Sequence, residues 1–407
     1  MLKTSFYIVL FVVFYGCTEI NTAPLEITND QDTLSGRVSL SNEVLTIETT
    51  TSSQKPGIRA KAKDELTLTL VATVTPPSHE GQVLQANEII IKGNRAYVGY
   101  NVKGETYLGG VDVFDISDPG KPVLTSSAIL NNSDVNGLAI QGNTLYLATA
   151  SGNASLTSPA ALEIIELDGL DLTDNHQLID LKSYAATDVD ISGNTLYVTS
   201  GADGGQVVQI DANTLEVNTE LALEDARGVD TDGLQVGVVA GTTARLLSFD
   251  SKTNENEGDY LLDGATIPFS KSTIEIKKGM AVLGLGDGGT QVVCLSDGRV
   301  LEHITPPVVA GLDSSVTVTN AATAYKRSIF ISNGEAGVYV AMTDSNISSN
   351  KCELDNLELV GKLQLDMKES VNHVTYRNDV LFVAAGTGGL QIVQIEDTKA
   401  TEDDDDK

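Results

Sequence analysis

Polar two-residue turns followed by short apolar runs recur along most of the chain. The turns are Gly93-Asn94, Gly142-Asn143, Gly193-Asn194, Asp232-Gly233, Lys278-Gly279, Lys326-Arg327 and Arg377-Asn378. Glycine and asparagine supply the positive φ that a tight hairpin needs, so each turn predicts a strand pair. The strand after each turn carries an apolar triplet, from Ala96-Tyr97-Val98 in the first copy to Leu381-Phe382-Val383 in the last. A third strand follows, marked by adjacent apolar residues such as Val113-Phe114, Ile164-Ile165, Val292-Val293 and Ile392-Val393. Neighbouring residues of a strand point to opposite faces, so both faces of these sheets are predicted to be buried. The short oxygen-bearing side chains that close the third strands, Asp168, Asp211 and Asp250 among them, read as turn chemistry rather than catalysis.

A fourth strand follows in six copies, while the seventh stops at Glu396-Asp397. Upstream of the first copy, residues 66–74 form a strand-like run without a partner of its own. They are expected to supply the missing outer strand and close a ring, which removes an exposed sheet edge. Residues 66–397 divide into seven copies of about 47 residues, the period of propeller blades. The fold class expected is all-β: one seven-bladed β-propeller of four-stranded blades over residues 65–397.

The stretches Gly-Asn-Arg-Ala-Tyr-Val (93–98) and Val-Asp-Val-Phe-Asp-Ile-Ser-Asp-Pro-Gly-Lys-Pro (111–122) resemble the LVIVD-repeat family of secreted and surface propellers. The repeat pattern carries the resemblance over roughly 330 residues, whereas the Asp-Pro turn occurs only in the first copy. It implies a bacterial cell-surface propeller and carries over no catalytic residue.

At the N-terminus, Lys3 precedes an apolar run over residues 6–15, then Gly16-Cys17 and a polar segment. Ten apolar residues are too few to span a ~30 Å hydrocarbon layer, so residues 1–17 read as an export signal. The segment resembles a bacterial lipoprotein signal, which implies lipidation of Cys17 and a place in the cell envelope, at the outer membrane or cell surface. Residues 18–64, rich in Thr, Ser, Asn and Asp, predict a flexible tether. Residues 398–407, with Glu402-Asp-Asp-Asp-Asp-Lys407, read as an acidic tail or tag outside the fold.

Charge and chemistry narrow the function further. Against 56 acidic residues stand 26 Lys and Arg, a net charge of −30 that argues against nucleic acid, or a membrane surface beyond the lipid anchor, as partner. Three cysteines are too few for a disulfide framework, and Cys294 and Cys352, assigned to different strand levels, are expected to be free thiols. Residues 284–289 fit G-x-G-x-x-G, but a strand rather than a helix follows, so they read as a hairpin loop. His79, His176, His303 and His373 lack metal or triad spacing. The carboxylates of Asp188-Val189-Asp190 and Asp230-Thr231-Asp232 alternate as calcium ligands do, without the rest of a calcium loop, so no cofactor is expected.

In a propeller the connections from second to third strand, and from fourth to the next first strand, emerge on one face. The longest are residues 99–110, with Tyr100, Asn101 and Tyr107, and 149–160, with Asn153, Ser155 and Ser158, residue types suited to adaptable recognition. Asn87, Asn136, Thr187, Ser315, Asn372 and His373 are expected at the channel mouth. The function expected is a non-enzymatic, monomeric binding or scaffolding module for an envelope protein or glycan. The alternative is an envelope enzyme, a lactonase-like hydrolase or a quinone-dependent propeller, with its site at the channel mouth. A third reading makes the acidity an adaptation to salt.

Overall fold

The computed structural model describes residues 25–48, 66–253, 255–268, 270–344, 347, 352–365 and 370–397. The export signal with Cys17, residues 18–24 and 49–64 of the expected tether, residue 65, and the acidic tail lie outside them. Seven antiparallel sheets follow one another in chain order. Blade one comprises Gln85–Lys92, Arg95–Asn101, Gly109–Asp115 and Val123–Leu130, and blades two to six repeat this meander. Blade seven contributes His373–Arg377, Val380–Ala384 and Leu390–Asp397, and receives Leu66–Val74 as its fourth strand. That closing strand runs antiparallel, from Leu66 opposite Asp397 to Val74 opposite Leu390.

The turns take the backbone their residues predict. Gly93, Gly142, Gly193 and Gly233 have φ of +61°, +60°, +58° and +87°, and Asn378 has +48°. The hydrophobic cores lie between blades rather than within them. Phe382 of blade seven packs with Ala96 and Val98 of blade one, and Tyr146 of blade two with Val189 and Val198 of blade three. Both faces of each sheet are therefore apolar, which is why the third strands carry adjacent apolar residues.

The tether expectation is corrected over residues 25–48, which form a strap around the ring. Glu26–Thr28 adds a fifth strand to blade one, Val38–Leu45 to blade seven and Ile47–Glu48 to blade six. Between the first two lies a short helix, Gln31–Ser35, whose N-cap Asp30 accepts the Thr33 N–H at 3.1 Å. Leu34, Leu45 and Ile47 are buried, so sparse apolar residues in a polar segment suffice to seat it. Arg37 fixes the strap in place. Its guanidinium donates to both oxygens of the fully buried Asp112, to Ser127 Oγ at 3.1 Å and, through Nε, to the Thr75 carbonyl at 2.9 Å. Tyr100 completes the cluster by donating its hydroxyl to Asp112 at 2.7 Å.

The thiol expectation is also corrected, because Cys294 and Cys352 form a disulfide with Cα atoms 5.3 Å apart. Third strands all run toward the same face, so Cys294 at the end of Thr290–Cys294 shares that face with the loop leaving the third strand of blade six. That loop lies against its neighbour, where Arg299 Nη2 donates to the Cys352 carbonyl at 3.5 Å.

Arg37→Ala leaves the Asp112 carboxylate buried without its cation, and urea unfolding should show a loss of about 3 kcal/mol or more. A loss below about 1 kcal/mol, the level of an exposed pair, would mean that Arg37 does not fasten the strap.

Candidate functional site

The polar residues at the start of the first strands are bonded to the neighbouring blade. Asn87 Nδ2 donates to the Val135 carbonyl at 3.3 Å, Asn136 Nδ2 to Ala186 at 2.9 Å, and Thr187 Oγ1 to Ala226 at 2.8 Å. Arg227 Nη1 continues to Ser270 at 3.2 Å, Thr273 Oγ1 to Asn320 at 3.2 Å, Asn320 Nδ2 to Val371 at 2.8 Å, and Asn372 Nδ2 to Ala86 at 2.9 Å. The links run from each blade to the next and close on blade one. Asn87, Asn136, Thr187 and Asn372 thus act on backbone. Ser315 is corrected: it sits exposed in the short 3-10 turn Ser314–Val316, bonded to Asp313, and Asn320 holds the equivalent place in blade six. Arg227, Thr273 and Asn320 were not singled out from sequence. The signal was a polar residue six positions before the positive-φ turn residue, as Asn87 stands to Gly93 and Asn320 to Lys326.

Below this ring the channel forms a cavity of about 410 Å³. On the loop face Lys271, from the connection between blades four and five, reaches across to blade one. Its Nζ donates to the Asn87 carbonyl and to Glu88, both at 2.7 Å, while His373 Nε2 lies 2.9 Å from the other Glu88 oxygen. Burial pushes the Glu88 carboxyl up, but His373 and Lys271 outweigh it and hold it at about 2.

Deeper carboxylates serve the free inner edges of the sheets. Asp188 accepts the Val229 N–H at 3.0 Å, Asp190 that of Thr231 at 2.8 Å, Asp230 that of Ile276, and Glu275 that of Ala324 at 2.8 Å. Each acid caps the unpaired edge of the next blade's first strand. Burial pushes Asp190 up to about 6 and, together with the facing Asp190 charge, Asp230 well above the carboxylate range. Burial and Glu88 do the same to Asp188.

The two long loops meet on the loop face. Tyr100 is corrected: it is fully buried in the strap cluster and is no recognition residue. Asn101 ends the second strand half-buried. Half-buried Tyr107 lies over Gly152, where a Cβ would stand 2.9 Å from its ring. Asp134, lifted to about 6 by burial, accepts the Leu108 N–H at 3.2 Å and ties the first loop to blade two. Asn153 Oδ1 orders its own loop by accepting the Ser155 N–H at 2.9 Å, and Ser158 Oγ donates to the Leu181 carbonyl at 2.7 Å. A small pocket opens here between Asn131, Asn132, Ser133, Ser151 and Asn153, with Glu163 and His176 in its wall.

In the sequence His176 has neither metal nor triad spacing. In the fold its Nε2 lies 2.7 Å from Glu163, whose second oxygen accepts from Thr149 at 3.2 Å. The pair is almost wholly buried. The Nδ1 of His176 is buried and has no hydrogen-bond partner among the described residues. His303 instead bonds the Gly288 carbonyl, and His79 lies 3.3 Å from Glu26.

No protein-family model matches the chain, and no curated protein matches it. Solved structures do. The WD40 repeats of RRP9 superpose with a TM-score of 0.55 at 12% identity, over 86% of this chain and 100% of that one. The structure of U3-55K gives 0.55 at 12% identity over 81% and 98%, and a chain of the mitotic checkpoint complex 0.53 at 12% over 80% and 93%. At such identities the likeness is one of fold, a seven-bladed propeller.

The raised carboxyls set a pH dependence. A folded-state pKa above the unfolded one stabilises below the unfolded value, and that contribution is lost as pH rises through the folded value. Asp230→Asn should therefore leave the melting temperature nearly unchanged at pH 4 and raise it at pH 8. An equal or lower melting temperature at pH 8 would contradict this account of the channel.

Proposed function

We propose that the chain is a non-enzymatic binding or scaffolding propeller of the bacterial cell envelope, presenting the joined loops of blades one and two to a protein or glycan partner. The observation that carries this reading is the joined loop face, where half-buried Tyr107 lies beside a small pocket lined by the amides and hydroxyls of Asn131, Asn132, Ser133, Ser151 and Asn153. Such groups match the hydroxyls of a sugar or the polar side chains of a protein loop. The fold itself is compatible with this role.

The address rests on sequence and on one structural fact. The lipoprotein-like signal ending at Cys17 and the LVIVD-like repeats point to the envelope, and the Cys294–Cys352 disulfide fits an oxidising compartment outside the cytoplasm. Binding is preferred over chemistry at the channel mouth because the polar side chains there are bonded to backbone and Lys271 crosses the opening.

Crosslinking capture from native envelopes, with the parent chain beside a Tyr107→Ala, Asn153→Ala variant, tests the site. The variant should retain its melting temperature and lose the captured partner by about tenfold, the equivalent of ~1.4 kcal/mol. Equal capture by both chains would remove the loop face from consideration.

A further inference from the structure

The loop-face pocket between blades one and two is small, about 20 Å³, the room that one water-sized group takes. Its wall carries one polar atom that the fold leaves over. His176 Nε2 is held 2.7 Å from Glu163, and the two side chains are 5% and 1% exposed. Among the described residues, His176 Nδ1 is the one buried side-chain nitrogen or oxygen lining this pocket that has no hydrogen-bond partner. The opposite wall is ordered by its own bonds. Ser133 Oγ donates to Ser151 Oγ at 2.9 Å, Ser151 Oγ to the Asn132 carbonyl at 3.1 Å, and the Asn153 N–H to Ser151 Oγ at 3.3 Å.

The leftover atom and the size of the pocket select the group that fits. An imidazole nitrogen either donates or accepts, according to where the ring proton sits. A hydroxyl does both, so it pairs Nδ1 in either tautomer, and its oxygen is the size of the pocket. A methyl group would leave the nitrogen unpaired, an ammonium would serve one tautomer only, and a carboxylate or phosphate would stand beside the Glu163 carboxylate.

The rim extends the same preference. Gly152 has no side chain, and a Cβ there would collide with the Asn132 amide and stand 2.9 Å from the Tyr107 ring, so amide and ring reach the rim side by side. Asn131 joins them, its Nδ2 donating to Glu26 at 2.7 Å. Amides next to an aromatic ring match the hydroxyls and the apolar face of a pyranose. A serine or threonine would bring a single hydroxyl, whereas a pyranose brings several on a rigid ring and uses pocket and rim together. We propose, on the loop-face reading above, that this is a sugar subsite: one hydroxyl or hydroxymethyl of a neutral glycan enters beside His176, while Asn131, Asn132 and Tyr107 hold the ring outside.

Titration of the full chain with the methyl glycosides of glucose, galactose, mannose and N-acetylglucosamine, followed by imidazole nitrogen NMR, tests this directly. The chain has four histidines, so the His176 signal is assigned by replacing the other three in turn. At least one glycoside should move it saturably while the signals of His303 and His373 stay. Asn132→Ala, with its melting temperature unchanged, should weaken that titration about tenfold. A His176 signal that no glycoside moves at about 50 mM, or a titration that Asn132→Ala leaves intact, would overturn the proposal. Loss of the captured envelope partner in Tyr107→Ala, Asn153→Ala without any sugar effect would keep the loop face as a recognition surface and assign it a protein, against the sugar subsite. Absence of both effects would remove the loop face as well.

Discussion

A ring of sheets has to satisfy the inner edge of every sheet without a neighbouring strand to do so, and the rest of this structure depends on how that is met. Seven side-chain bonds to backbone, from Asn87 round to Asn372, stitch each first strand to the next near the loop face. Deeper in the channel, carboxylates from blades three, four and five take the outward N–H groups of blades four, five and six. Buried backbone donors left unpaired would each cost about 1 to 3 kcal/mol, so acids are placed there even though burial raises their protonation. A strongly acidic interior is in this sense a structural consequence of closing the ring.

Closure at the circumference follows a second logic. Leu66–Val74 completes blade seven, and the strap then lays further strands on blades one, seven and six, with Arg37 and Asp112 as its fastening. The Cys294–Cys352 bond ties blade five to blade six next to the strapped sector. Reinforcement is thus concentrated where the two ends of the propeller meet, as expected of a ring whose weakest joint is its closure. The candidate recognition pocket sits beside that reinforced sector, since Leu25 at the start of the strap is one of its walls.

Much of this was legible in the sequence. The turns, the adjacent apolar pairs and the unpartnered run at 66–74 are local signals with a strict period, and period alone forces the blade count. What stayed hidden depended on which way a strand runs or where a chain returns. Tyr100 looks like a loop residue until the second strand is seen to extend to Asn101. Cys294 and Cys352 look separated until the end of one third strand and the loop leaving the next are placed on the same face. The Asp188, Asp190 and Asp230 alternation reads in the sequence as solvated faces rather than a calcium site, and only the neighbouring blade shows these acids capping its inner edge. His176 and Glu163 lie thirteen residues apart on paired strands, so no spacing rule would have joined them.

The central claim, that side chains in the channel lock the inner edges into one cooperative ring, is most directly tested by native-state hydrogen exchange at Val229, Thr231, Ile276 and Ala324. These amides should exchange only through global unfolding, with one free energy shared by blades four, five and six. Exchange at rates typical of exposed strand edges, or blade by blade with separate free energies, would contradict it.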